Sequence, residues 1–231
     1  MSVRRDEMAK KIIEVGNLVK RFNGRKAILN GVSFDVCSNE FVTISGRSGC
    51  GKTTLLNILG GLDRPTSGRV EIAGHDITGI SENELAKFRL DNIGFVFQDF
   101  NLLLDLTVRE NVALPLLFSG KRDGARVDEL LRKFDIHQIG GEKANRISGG
   151  EAQRTAIARA MMNEPKIILA DEPTGNLDEE NSENVIRMFD IAREEYGTTI
   201  VLATHDKTLA PSSTFAIVIE GGKTMIDRTR R

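Results

Sequence analysis

One octapeptide, Gly46-Arg47-Ser48-Gly49-Cys50-Gly51-Lys52-Thr53, constrains this chain more than any other stretch. It follows the apolar run Phe41-Val42-Thr43-Ile44-Ser45 and precedes a segment whose Leu55, Leu56 and Leu59 share a helical face, so it reads as strand, loop, helix. In that setting the glycines let successive backbone N–H groups turn inward on phosphate oxygens, and the helix start adds partial positive charge. Lys52 is spaced to reach the β- and γ-phosphates and the Thr53 hydroxyl to meet Mg²⁺. Arg47, Ser48, Cys50 and Thr54 belong to the same cradle, where backbone groups do most of the binding. The bland alternative is a Gly-rich turn before a helix; the Lys-Thr pair in these flanks argues against it.

Such a loop needs an acidic partner for the metal. Ile167-Ile168-Leu169-Ala170 is a buried-strand signal that runs into Asp171-Glu172 and is stopped by Pro173. Asp171 is the residue expected to hold the Mg²⁺ shell, as the acidic residue closing this strand does in P-loop NTPases. Glu172 points the other way as the strand ends and is placed to polarise an attacking water.

A further segment, Ile147-Ser148-Gly149-Gly150-Glu151, has its own local reading. Ser148 with Glu151 three residues on is a capping box, and Ala156, Ile157, Ala160 and Met161 then form one apolar helical face. A plain N-cap would need neither glycine. Gly149 and Gly150 leave the first N–H groups unshielded, so a phosphate can approach closely. One nucleotide engages a single Lys-bearing loop, so two copies of the chain closing over shared nucleotides would account for both segments.

In order along the sequence these motifs resemble the ATP-binding subunits of ABC transporters, from about Ile12 to Asp227. Gly46 to Thr53 is similar to the Walker A loop, Ile167 to Glu172 to the Walker B strand, and Ser148-Gly149-Gly150 to the core of the signature sequence. Phe22, before Gly24, matches the aromatic that stacks on adenine. Gln98, closing Ile93-Gly94-Phe95-Val96-Phe97, matches the glutamine that touches the metal and reports to the membrane subunit. Gly175-Asn176-Leu177-Asp178 matches the D-loop at the dimer seam, and His205, beyond Thr199-Ile200-Val201-Leu202-Ala203, the switch histidine beside the γ-phosphate. The resemblance implies an α/β fold with a P-loop NTPase (RecA-like) core, an antiparallel β flank and a helical sub-lobe.

Gly60 to Gly68, Gly94 to Gln98, Glu110 to Leu116 and Ala170 to Asp178 are worded most like the macrolide-export, lipoprotein-release and antimicrobial-peptide branch. Three positions depart from the family pattern. The signature reads Ile-Ser-Gly-Gly-Glu rather than Leu-Ser-Gly-Gly-Gln, Leu104 stands where proline is frequent, and Phe22 replaces the usual tyrosine. A carboxylate at Glu151 near a γ-phosphate is unfavourable unless it turns back onto the Ser148 N–H, as the capping box predicts.

Charge excludes little but points away from nucleic acid: 32 basic against 33 acidic residues leave a formal net charge of −1. No apolar run approaches the ~18 residues of a spanning helix, and Met1 to Glu7 lacks an apolar signal region. Any membrane part is therefore expected on another chain, a permease subunit, with this chain cytoplasmic and peripheral on the inner face of the cell membrane. Cys37 and Cys50 form no zinc pattern, and His75 and His137 read as surface or loop histidines.

The expected organisation is one ATPase domain over 12–231, its nucleotide-binding core at about 12–98 and 163–231 and its helical sub-lobe at about 99–162. Segments Ile12–Arg21, Ala27–Val36 and Arg69–Ala73 predict the antiparallel flank. Phe41–Ser45, Ile93–Phe97, Ile167–Ala170, Thr199–Ala203 and Phe215–Glu220 predict the central sheet, and Val108–Phe118, Ala125–Phe134 and Gly150–Met162 helices. For the apolar loop Phe100 to Leu106, core packing is the plainer expectation and docking of a short helix from the membrane subunit the alternative. The basic end Arg228-Thr229-Arg230-Arg231 reads as a solvated tail.

The expected mechanism is a two-chain sandwich. Each ATP is held by Phe22, Gly46–Thr53, Gln98, Asp171 and His205 of one chain and by Ser148, Gly149, Gly150 and Glu151 of the other, with Asp178 at the seam. Catalysis falls to Glu172, His205 and Lys52, and Mg²⁺ to Thr53, Gln98 and Asp171. Two other readings compete: a soluble ABC ATPase without a transporter, disfavoured because no heptad run separates Lys52 from Ser148, and a signalling module that closes on ATP without turnover, disfavoured by intact Glu172 and His205.

Overall fold

Alternation within apolar runs sorts the side chains to two sides of one sheet. Val42 and Ile44, Leu169, and Val201 and Ala203 enter one buried cluster, while Phe41, Ile168 and Ala170, and Ile200 and Leu202 enter another. A strand apolar at every position is one covered on both faces. The computed structural model describes residues 10–22, 26–205 and 213–228. The Met1–Glu7 start, Gly24 and the last three residues of the basic end lie outside them.

The elements begin with β1 (Lys11–Lys20), β2 (Leu29–Cys37), β3 (Phe41–Ser45), α1 (Lys52–Leu59), β4 (Ser67–Ile72) and β5 (His75–Asp76). Next come α2 (Glu82–Asn92), β6 (Ile93–Val96), α3 (Val108–Ser119), α4 (Gly124–Lys133) and α5 (Gly149–Ala160). The chain continues through β7 (Ile167–Asp171), α6 (Glu179–Tyr196), β8 (Thr199–Ala203), β9 (Phe215–Glu220) and β10 (Lys223–Asp227). Among the described residues the strands form a four-stranded antiparallel sheet, β2-β1-β4-β5, and a six-stranded sheet, β10-β9-β3-β8-β7-β6. The larger sheet is parallel except at β10, which pairs antiparallel with β9.

The flank sheet and α1 cover one face of the larger sheet through Leu18, Val32, Leu55 and Leu59. On the other face α3, α4, α5 and α6 share a cluster with the sheet through Val112, Leu130, Ile157 and Phe189. The three expected helices after Gln98 form within two residues of their expected ends. The signal for α2 is a polar cap rather than an apolar stripe, Ser81 with Glu84, while α6 has both the Asp178 cap and a stripe of Val185, Met188, Phe189 and Ala192.

Strand register aligns one edge of the larger sheet. Ile44 pairs with Ala203, and Ala203 with Asp171, so the carboxyl ends of β3, β8 and β7 lie in one line. Loops leaving that edge are where a doubly wound sheet binds ligands.

Candidate active site

The Gly46–Thr53 loop leaves that edge directly. Gly46 adopts φ 152 and a Cβ there would lie 2.6 Å from both Cys50 Sγ and the Ile219 carbonyl oxygen, so only glycine fits against β9. Gly51, at φ 111, caps α1 without a side chain, leaving the helix's first N–H groups with no side-chain cap. This is an anion-binding geometry. Lys52 opens α1, is 9% exposed, and bends over the loop so that its Nζ donates to the Gly46 carbonyl at 3.2 Å.

Two carboxylates from the end of β7 meet it there. Asp171 has a carboxyl that burial pushes up from the ordinary aspartate value and that the neighbouring Thr53 hydroxyl draws back. Its Oδ1 is buried with no hydrogen-bond partner. A buried orphan oxygen beside a threonine hydroxyl is a hard donor set of the kind Mg²⁺ takes. Glu172 has a left-handed backbone, φ 45, which costs a non-glycine residue about 1–3 kcal/mol and collects at functional sites. Its carboxylate is only 15% exposed: Oε1 lies 3.6 Å from Lys52 Nζ, and Oε2 pairs with His205 Nδ1 at 2.8 Å and accepts the His205 backbone N–H at 3.3 Å.

Among the described residues no hydrogen bond or ion pair joins the remaining sequence-predicted residues, Phe22, Gln98 and Asp178, to this centre. Phe22, just past β1, is 46% exposed, with the Lys20 ammonium 4.7 Å from its ring centroid. Gln98 is exposed beyond β6, and its carbonyl accepts from Asn176 Nδ2 at 3.3 Å. Asp178 is the N-cap of α6, accepting from the Asn181 N–H at 2.9 Å.

Ser148 caps α5 as expected, and Glu151 turns back to accept from the Ser148 N–H and hydroxyl, each at 2.7 Å. Those bonds hold its carboxyl below the usual glutamate value. Among the described residues no hydrogen bond or ion pair joins Ser148–Glu151 to Gly46–Thr53; the glycines instead face Asn181, Leu177 and Phe100. Within one chain, then, Lys52, Thr53, Asp171, Glu172 and His205 converge and the Ser148 segment does not.

Core packing fails at two positions of the apolar loop, Leu103 and Leu104, while Phe100, Leu102 and Leu106 are half-buried. Leu103 is 52% and Leu104 60% exposed, because the loop backbone is held from beneath by polar groups. Asn111, fully buried on α3, accepts the Leu103 N–H at 2.8 Å and donates to the carbonyls of Leu103 and Thr107 at 3.0 Å. Arg159 of α5 donates to the carbonyls of Phe100 and Asn101 at 2.8 and 2.6 Å. Sequence reasoning assigned neither residue a role; an asparagine among the apolar positions of α3 was the available signal. Beside the loop a cavity of about 890 Å³ opens between α2, α3 and the end of β6, lined by Phe95, Phe97, Leu114, Pro115 and the exposed Phe118.

Residues 29–175 match the family described as ABC transporter. The chain is 41% identical to the lipoprotein-releasing system ATP-binding protein LolD 1 of Chlorobium chlorochromatii, over 90% of this chain and 86% of that one. It is 43% identical to the macrolide export ATP-binding/permease protein MacB of Syntrophobacter fumaroxidans, over 84% of this chain but only 28% of that longer protein. An ATP-binding cassette solved as a dimer in a post-hydrolysis state bound to ADP and Pi superposes with a TM-score of 0.87 at 38% identity, covering 95% of this chain and 99% of that one.

Proposed function

The chain belongs to the ABC transporter family, and on that premise we propose how its residues bind ATP, hydrolyse it and pass the result to a membrane partner. It is an ATPase of the lipoprotein-release and macrolide-export type. The observation that carries the assignment of roles is the grip on Glu172, held between Lys52 at 3.6 Å and His205 at 2.8 Å, one residue after an aspartate with an orphan buried oxygen.

The triphosphate lies on the N–H groups of the Gly46–Thr53 loop and the uncapped start of α1. Lys52 exchanges the Gly46 carbonyl for the β- and γ-phosphates, and Phe22 stacks on the base. Glu172 takes the proton of a water in line with the γ-phosphate, and its two neighbours keep it from rotating away. His205, bonded to that same carboxylate, faces the γ-phosphate, and Lys52 offsets the charge that develops on the equatorial oxygens. Thr53, Asp171 and Gln98 would hold Mg²⁺, which when bound neutralises phosphate charge.

Two copies complete the site. Ser148, Gly149 and Gly150 of the second chain cover the γ-phosphate, with Asp178 near the seam, and loss of that phosphate removes the contact that holds the pair closed. Support comes from the isolation of the Ser148 segment from its own chain's loop and from the dimeric relative. Among the described residues no helix is long and apolar enough to cross a membrane. In this reading a permease subunit receives the stroke at the apolar groove and the Leu103–Leu104 loop, with this subunit on the cytoplasmic face of the membrane.

Equilibrium ATP binding and light scattering test the scheme. Lys52→Ala is expected to lose ATP binding, and Glu172→Gln to bind ATP, turn over barely, and convert from monomer to dimer with ATP but not with ADP. Parental ATP affinity in Lys52→Ala, or an unchanged mass for Glu172→Gln with ATP, would overturn it.

A further inference from the structure

Lys20 ends β1 and is only 8% exposed, unusual for a lysine. Three groups surround its ammonium: it donates to Asp63 Oδ1 at 2.6 Å and to the Arg64 carbonyl at 2.8 Å, and it stands 4.7 Å from the centroid of Phe22. Resting on the assignment of Phe22 as the base platform, we propose that Lys20 is a positioning residue for the nucleotide base, fixing the Phe22 ring from one face and tying it to the helix that carries the phosphate loop.

The tie is continuous. Asp63 lies in the turn that closes α1, where the N–H groups of Leu62 and Asp63 donate to the Asn57 carbonyl at 2.8 and 3.2 Å. That turn is bound to β1 as well: the Arg21 N–H donates to Thr66 Oγ1 at 3.0 Å and the Thr66 N–H to the Val19 carbonyl at 2.8 Å. Since α1 starts at Lys52, the phosphate loop sits at one end of the helix and the anchor of the ring at the other. The spacing between phosphate cradle and base platform is thus set by one rigid element.

The ammonium also decides which face of Phe22 is used. A cation attracted to one face of an aromatic ring occupies it and draws electron density from the other. The ammonium stands over one face, so stacking with a purine falls to the other; Phe22 as a whole is 46% exposed. Phenylalanine has no hydroxyl with which to fix itself to a polar neighbour, so the grip has to come through the ring.

A double-mutant cycle read with two ligands isolates this role. Affinities for ATP and for inorganic tripolyphosphate, which has no base, are measured on the full chain for the parent, Lys20→Met, Lys20→Arg, Phe22→Ala and Lys20→Met/Phe22→Ala. Loss of the cation–ring contact is expected to weaken ATP binding by roughly two- to fivefold in Lys20→Met. Tripolyphosphate binding stays at the parental value, Lys20→Arg restores most of the ATP affinity, and Lys20→Met adds nothing once Phe22 is alanine. Equal weakening of both ligands, or the same loss of ATP affinity with and without Phe22, would make Lys20 an ordinary structural ion pair and overturn the proposal. Failure of the platform assignment has a different signature, unchanged ATP affinity in Phe22→Ala. Should Lys20→Met not fold, Asp63→Asn decides: it keeps the ammonium but loosens its anchor, and it must weaken ATP without moving tripolyphosphate.

Discussion

Replacing Leu104 by glutamate separates a docking loop from a packed one, because the two predict opposite readouts. Leu104 is 60% exposed. Full burial of a leucine contributes about 1.5–3 kcal/mol, so the two-fifths still covered is worth about 0.6–1.2 kcal/mol. For a chain of this length that lowers Tm by about 1–5 °C. The backbone beneath does not depend on the side chain, since Asn111 holds the N–H and carbonyl of Leu103 from inside α3. Basal ATPase of the isolated chain is therefore expected to stay near parental, while stimulation by the reconstituted permease falls at least tenfold as the new charge meets an apolar partner. Melting followed by circular dichroism, phosphate release with and without permease, and pull-down of the permease read all three. Burial of an unpaired charge would instead cost several kcal/mol. A Tm drop beyond about 10 °C, or full stimulation by the permease, would refute the reasoning.

Glu151→Gln is expected to change turnover less than about tenfold, or ~1.4 kcal/mol, because its carboxylate is already engaged by the Ser148 N–H and hydroxyl at 2.7 Å; a much larger gain in a phosphate-release assay would make Glu151 a brake on hydrolysis. The capping-box carboxylates Glu84, Glu110 and Glu151 are all held below their ordinary 4.5 by the Ser81 hydroxyl and by the backbone N–H groups of Thr107 and Ser148, respectively. A depressed folded-state pKa gives stability that is present above the unfolded value and lost as pH falls through the folded one. The triple glutamine variant should accordingly lose Tm less steeply than the parent below pH ~4.5, and parallel melting curves would show that the boxes contribute nothing in solution.

Much of the site was legible because its chemistry is local. The Gly46–Thr53 loop, the Asp171-Glu172 strand end and the Ser148–Glu151 box each declare themselves within a few residues, since turn conformation, strand termination and helix capping are settled by neighbours along the chain. The central strands were equally plain, as a strand covered on both faces has to be apolar throughout. Helix α2 was harder to see: its polar stretch lacks a continuous apolar stripe and is announced mainly by the cap at Ser81, whereas α6 offered both the Asp178 cap and the buried stripe Val185, Met188, Phe189 and Ala192.

Tertiary structure decided what depends on distant segments meeting. That Glu172 is clasped by Lys52 and His205 follows from the register of β3, β8 and β7, which no short window of sequence contains. The same holds for Lys20 reaching Asp63 and Phe22, and for Arg159 pinning the loop after Gln98 to α5. Composition made Phe100 to Leu106 look like core, yet Leu103 and Leu104 face outward. Apolar content records only that a side chain gains by leaving water, whereas the hydrogen bonds of Asn111 and Arg159 fix the backbone and so determine which side chains can.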